Sequence, residues 1–172
     1  MARAAVVRGR VAFLAAFRIR CPRVVMADQP PEVPIVLGEP DFRLMLAREV
    51  QRATRYQDFL SLFLVRLGLP GGSDPALRAS VARKLVELLR GSDLVGVVGE
   101  DIAVILVHTP DTDAIGITER MQRALEEFVL SVPRGGQSDP VTVQLALVAF
   151  PGDATSDEAL LARAQARLPK LS

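Results

Sequence analysis

The run Leu60-Ser-Leu-Phe-Leu-Val-Arg-Leu67 constrains the fold more than any other stretch of the chain. It is short, almost unbroken in apolar residues, and followed by a loop from Gly68 to Ser73, so it reads as a strand covered on both faces. Such a strand needs neighbours beside it. Leu94 to Val98 and Ile102 to Val107 stand nearly back to back around Gly99-Glu100-Asp101, the spacing of a tight hairpin. Val141 to Ala149 alternates Val141, Val143, Leu145 and Leu147 with Thr142 and Gln144, a strand with one more polar face.

Helical periodicity fills the intervals. Asp41 as N-cap with Phe42, Met45, Leu46, Val50 and Ala53 predicts a helix ending near Tyr56. Asp74 before Pro75 opens a second helix, with Leu77, Val81, Leu85, Leu88 and Leu89 in its stripe, stopping at Gly91. A third follows Asp111 and Asp113, with Ala114, Ile117, Met121, Ala124, Leu125 and Phe128 on one face. Thr155-Ser-Asp-Glu158 fits a capping box for a last helix that buries Leu160, Leu161, Ala164 and Leu168. The order is a leading helix and then β-α-β-β-α-β-α, without an internal repeat. The expected fold class is therefore α+β on a ferredoxin-like plan: an antiparallel sheet with helices packed on one face, preceded by an extra N-terminal helix.

Composition removes several functions. Cys21 is the single cysteine and His108 the single histidine of 172 residues, so an internal disulfide, a Cys/His zinc site and a triad needing a second histidine are excluded. Aromatic residues make up 5% with no Trp, too few for base-stacking platforms. Residues 1–27 carry six arginines (3, 8, 10, 18, 20 and 23) and no acid. Taking 6 from 21 leaves 15 basic against 20 acidic residues, so the remainder carries −5 and offers no basic nucleic-acid face. The apolar run Val11 to Phe17 is too short to span a bilayer, and three prolines within 30–34 read as a linker. The division expected is a basic, Pro-rich extension and linker over 1–38 and one domain over 39–172, located in the cytoplasm.

Three stretches between about residues 40 and 168 together resemble the GGDEF family of diguanylate cyclase domains. Phe42 to Tyr56 running into Leu60-Ser-Leu resembles that family's leading helix and first strand. Arg90-Gly-Ser-Asp93, Val98-Gly99-Glu100-Asp101-Ile102 and the strand through Leu106 are similar to its RxxD motif, signature turn and following strand. Val141-Thr-Val, Ala149-Phe-Pro151 and Leu160-Leu161 resemble its penultimate strand and final helix. The resemblance implies a nucleotide-cyclase-like fold, and an activity that condenses two GTP into cyclic di-GMP across a dimer. That chemistry uses carboxylates on the first strand and the hairpin turn to hold divalent metal.

At those positions the pattern departs. The first-strand metal carboxylate aligns with Arg66 and the second acid of its DxD pattern with Gly68. A cation there opposes Mg²⁺ by of order several kcal/mol at partly buried dielectric. Leu67 to Asp74 has no counterpart of the family's guanine- and phosphate-contacting stretch, and only Gly99 of the signature matches. Glu100 and Asp101 read as a solvated pair on the turn. Ala164-Gln165 replaces an Ala-Asp, and the closing run is absent from Arg167 to Ser172.

The expectation is a catalytically inactive regulatory or dimerisation module in bacterial signalling. No catalytic residue, metal or cofactor is expected. It works through self-association or a protein partner, with cyclic di-GMP as ligand at Arg90 and Asp93. Guanidinium pairs with guanine O6 and N7 or with phosphate, and carboxylate accepts from guanine N1 and N2; the competing reading makes both residues helix-end and turn chemistry. Two alternatives stand beside it: a divergent cyclase using Glu100 and Asp101 with Mg²⁺, and a membrane-surface adaptor acting through residues 1–27. His108 reads as a surface turn residue, and Gly71-Gly72-Ser73 as a shortened turn without the lysine of a phosphate loop.

Overall fold

Residues 36–69, 72–133 and 140–169 are described by a computed structural model. The elements run β1 (Val36–Leu37), α1 (Glu39–Tyr56), β2 (Leu60–Gly68), α2 (Pro75–Leu88), β3 (Leu94–Val98), β4 (Asp101–Val107), α3 (Asp111–Ser131), β5 (Thr142–Phe150) and α4 (Asp157–Arg167). The sheet order is β1-β3-β4-β2-β5. Every pairing is antiparallel except β1 with β3, which is parallel, so the expected antiparallel sheet is corrected at that edge. Two residues are too short to show a strand period, which is why β1 left no mark in the sequence.

The placement of the helices on one face is also corrected. Leu60, Leu62 and Leu64 of β2 pack with α1 and α4, while Phe63 and Val65 pack with α2 and α3 on the other face. Alternate side chains of a strand point to opposite faces, so a strand apolar at both parities requires cover on both sides. β2 meets this as the inner strand between β4 and β5.

Local chemistry sets the helix starts. The Asp74 carboxylate accepts from the N–H groups of Ala76 (2.9 Å) and Leu77 (3.0 Å), with Pro75 in the first turn. The N-cap of α1 is Gly38, three residues before the expected Asp41, and Pro40 fits the first turn, where no N–H is needed. In α4 the cap is Ser156, whose Oγ accepts from Ala159 N–H at 3.2 Å, rather than Thr155. α2 ends at Leu88, before Gly91.

One close approach needs a glycine. A Cβ on Gly96 of β3 would lie 2.6 Å from Cδ2 and 2.9 Å from Cβ of the fully buried Phe42, and 3.0 Å from the Leu37 carbonyl oxygen. Gly96 thus lets α1 and β1 settle onto the same stretch of β3.

At the opposite edge, β5 is closed along its C-terminal half by side chains. Asp153 accepts from Ala149 N–H (2.9 Å), and Arg167 donates to both Asp153 and the Leu147 carbonyl. Groups that would template another strand are occupied. The Asp153 carboxyl lies below its ordinary value because Arg167 bonds it, with Ala149 N–H adding to the effect and burial opposing. A carboxyl depressed in the folded state contributes stability above its unfolded pKa, near 4, and loses that contribution as pH falls through the folded value. Urea midpoints should therefore drop as pH is lowered below about 4. Asp153→Asn is expected to lower the midpoint at pH 7 and flatten this fall; an unchanged slope would contradict the assignment.

Candidate functional site

β2 ends, and the β3–β4 hairpin turns, at the same end of the sheet. Val65 pairs with Ile102, so the next residue, Arg66, meets the preceding one, Asp101. Arg66 donates from Nε to Oδ1 and from Nη2 to Oδ2 of Asp101, both at 2.7 Å. The Asp101 side chain is 4% exposed and that of Arg66 26%. This is a bidentate guanidinium–carboxylate pair with both acid oxygens engaged. The pair raises the Arg66 pKa above its already high value, against the opposing effect of burial. The reading of Glu100 and Asp101 as a solvated pair is therefore corrected for Asp101, which strand register turns inward; Glu100 is exposed.

The turn itself is held from two helices. Gly99 takes φ +60 at the first of two loop positions, the geometry that favours glycine there. Its N–H donates to Glu39 Oε2 at 2.8 Å, and its carbonyl faces Arg78 Nη1 at 3.5 Å. The Gly99 N–H and then Arg43 hold the Glu39 carboxyl below its ordinary range. Val98 and Ile102 are buried members of the two strands. Gly68 closes β2 opposite Thr142. Gln144, across from Arg66 on β5, has a buried Oε1 with no partner among the described residues. Beside this end lies a cleft of about 90 Å³, lined by Arg66, Leu69, Ser73, Asp74, Arg78 and Glu100. Among the described residues no three His, Cys, Asp or Glu side chains are grouped to hold a metal ion.

The RxxD residues lie at the other end of β3. Asp93 Oδ2 accepts from Arg90 N–H (3.2 Å), Asp93 Oδ1 accepts from Val107 N–H (3.3 Å), and Asp93 N–H donates to the Arg90 carbonyl (2.9 Å). Asp93 thereby ties the turn after α2 to the end of β4. The Arg90 side chain is exposed and forms no ion pair with a described carboxylate.

Next to Val107, His108 takes φ +53 and is exposed, as a turn residue. It also has charged neighbours that the sequence did not reveal. Its Nε2 lies 3.1 Å from Arg52 Nη1, and its Nδ1 contacts Asp58 Oδ2. A guanidinium only donates, so Nε2 accepts and Nδ1 carries the proton toward Asp58. Arg52 further bonds Glu49 (2.7 Å) and Asp58 (3.2 Å). The Phe59 N–H, with Arg52 and His108, keeps the Asp58 carboxyl below its ordinary value.

Sequence reasoning named both members of the Arg66–Asp101 pair but did not join them. It missed Glu39, Arg78, Gln144, Arg52 and Asp58. For Gln144 its place on the more polar face of the last strand was the available signal; for the others there was none.

Known proteins share this fold. The family described as "Diguanylate cyclase, GGDEF domain" matches residues 72–171. No curated protein sequence matches the chain. A diguanylate cyclase protein from Thermotoga maritima superposes with TM-score 0.63 and 19% identity over 80% of this chain and 98% of that one. Diguanylate cyclase SiaD from Pseudomonas aeruginosa, solved with its activator SiaC, gives 0.59 and 20% over 80% of this chain and 58% of that one. The GGDEF domain of DgcB from Caulobacter crescentus, solved with c-di-GMP, gives 0.56 and 15% over 84% and 90%. At these identities the structural likeness establishes the fold, and the family match, spanning more than half of the chain, establishes that this protein belongs to the GGDEF domain family.

Proposed function

We propose that this GGDEF domain does not turn over GTP and acts by contact, as a cytoplasmic regulatory or dimerisation module that takes cyclic di-GMP at Arg90 and Asp93. The observation that carries the reading is the Arg66–Asp101 pair. A divalent ion needs carboxylate charge that no other cation already holds. Here both oxygens of the one buried acid at the hairpin accept from a guanidinium, so the chain supplies its own cation where family chemistry places metal. The donor set does not fit Mg²⁺. The Gly99 N–H already faces the Glu39 carboxylate. A cleft of about 90 Å³ is also small beside the roughly 300–1,000 Å³ of typical small-molecule sites.

Incubation of the full chain with GTP and Mg²⁺ or Mn²⁺ is expected to yield no cyclic di-GMP by chromatography. Turnover abolished by Asp101→Ala would overturn the inert reading and favour the divergent cyclase.

Ligand binding at the RxxD turn is supported by the exposed Arg90 guanidinium, which no described carboxylate engages, and by the c-di-GMP complex of DgcB as a relative that binds it. Calorimetric titration with cyclic di-GMP should give saturable heat in the wild type and none in Arg90→Ala. Absence of heat in the wild type would end this part of the proposal. The membrane-surface alternative rests on residues 1–27, outside the described residues. No described helix is long and apolar enough to cross a membrane.

A further inference from the structure

At the β1 edge of the sheet, on the α2 side, lies a groove of about 420 Å³. Its floor is Val36, Val97, Ala79 and Ala82, and Arg78 and Arg83 flank it. Neither arginine forms an ion pair with a described carboxylate. Their polar contacts to described residues are long: 3.5 Å from Arg78 to the Gly99 carbonyl and 3.4 Å from Arg83 to Ser80 Oγ. β1 stands last in the sheet, so among the described residues one edge of its backbone has no strand beside it.

We propose that this groove receives an extended acidic segment of a partner protein, which adds to the sheet beside β1 and sets carboxylates against Arg78 and Arg83. Three features favour that occupant. An open strand edge supplies main-chain donors and acceptors to an extended backbone, and pockets beside it select alternate side chains. The apolar floor lies on the α2 face, where every second side chain of an added strand would rest. The two cations stand on either side of the apolar floor: five helical residues carry Arg83 about 7.5 Å along the axis and about 140° around it from Arg78, with Ala79 and Ala82 between them. An acidic segment lying over that floor therefore passes between two guanidinia, one on each side, and its alternate apolar residues rest on the floor. A helix laid in the groove would leave the β1 edge unpaired, and two arginines are few for holding an anionic membrane.

This groove shares Arg78 with the cleft at Arg66 but Arg83 belongs to the groove and not to that cleft, and Arg90 lines neither, so a test that varies Arg83 does not depend on the fate of the inert reading. The probe is a fluorescein-labelled peptide, Glu-Thr-Glu-Thr-Val-Thr-Val, titrated into the full chain by anisotropy at low salt, with amide exchange followed at Val36 and Leu37. Saturable binding is expected, weakened at least tenfold in Arg83→Glu and in the peptide with Lys for Glu, less so in Arg83→Ala, and accompanied by slower exchange of the one of these two amides whose N–H faces away from β3. Circular dichroism of the Arg83 variants, altered at an exposed position, checks that they remain folded. No saturable binding, equal binding by Arg83→Glu, or binding without slowed exchange at β1 would each overturn the proposal. So would Arg83-dependent retention on phosphatidylserine vesicles without peptide binding, which assigns the arginines to a membrane.

Discussion

Arg66→Ala is expected to lower folding stability by about 3–5 kcal/mol, the usual cost of leaving a buried ion unpaired. The cost falls on Asp101. Its side chain is 4% exposed, both its oxygens accept from Arg66, and no other described side chain donates to them. The double variant Arg66→Ala/Asp101→Asn, which also removes the stranded charge, should recover much of the loss in urea denaturation at pH 7. A coupling energy of at least about 1.5 kcal/mol is expected from that cycle, since the residues touch and share both hydrogen bonds. A cost below about 1 kcal/mol for Arg66→Ala would place the pair among exposed, screened ion pairs and remove the main support for an inert cleft. Stability and the proposed inertness are linked: the guanidinium that compensates the buried acid also sets a positive charge where a metal ion would have to approach.

Phe42→Ala is expected to cost a similar amount, about 3–5 kcal/mol, because an aromatic ring with no exposure is removed from the seam between α1 and β3. Gly96→Ala, at the other side of that seam, overpacks it and should cost about 1–3 kcal/mol. The two are not independent. The nearest atom to an added Cβ is Cδ2 of the Phe42 ring, at 2.6 Å, so deleting the ring removes the worst contact. The double variant should be more stable than the sum of the two losses predicts. Relief remains partial, since Phe42 Cβ at 2.9 Å and the Leu37 carbonyl oxygen at 3.0 Å stay in place. Strict additivity in denaturation midpoints would show that α1 shifts to accommodate the methyl group.

The candidate site was legible in its members and illegible in its bonds. Arg66 stood out as the one charge in an apolar strand, and Asp101 as an acid on a hairpin, but the sequence reading sent Asp101 to solvent. Whether it points inward depends on the register between β2 and β4, which places it beside Arg66 across 35 residues of chain. Asp93 was legible as a turn residue, and the structure uses both its oxygens on backbone N–H groups. The His108 neighbourhood could not be read at all, because Arg52 lies 56 residues away at the far end of another element.

What the sequence determined by itself was the succession of elements. Apolar spacing, helix caps such as Asp74, and the glycine of a two-residue turn act between residues a few positions apart, and those interactions exist in any arrangement of the whole. What only the tertiary structure decided was which helices cover which face, the added strand at Val36–Leu37, and the contacts Arg66–Asp101 and Glu39–Gly99, the latter spanning 60 residues. Each depends on strand register and order, where a shift of one residue sends a side chain to the opposite face, and short-range propensity carries no information about that choice.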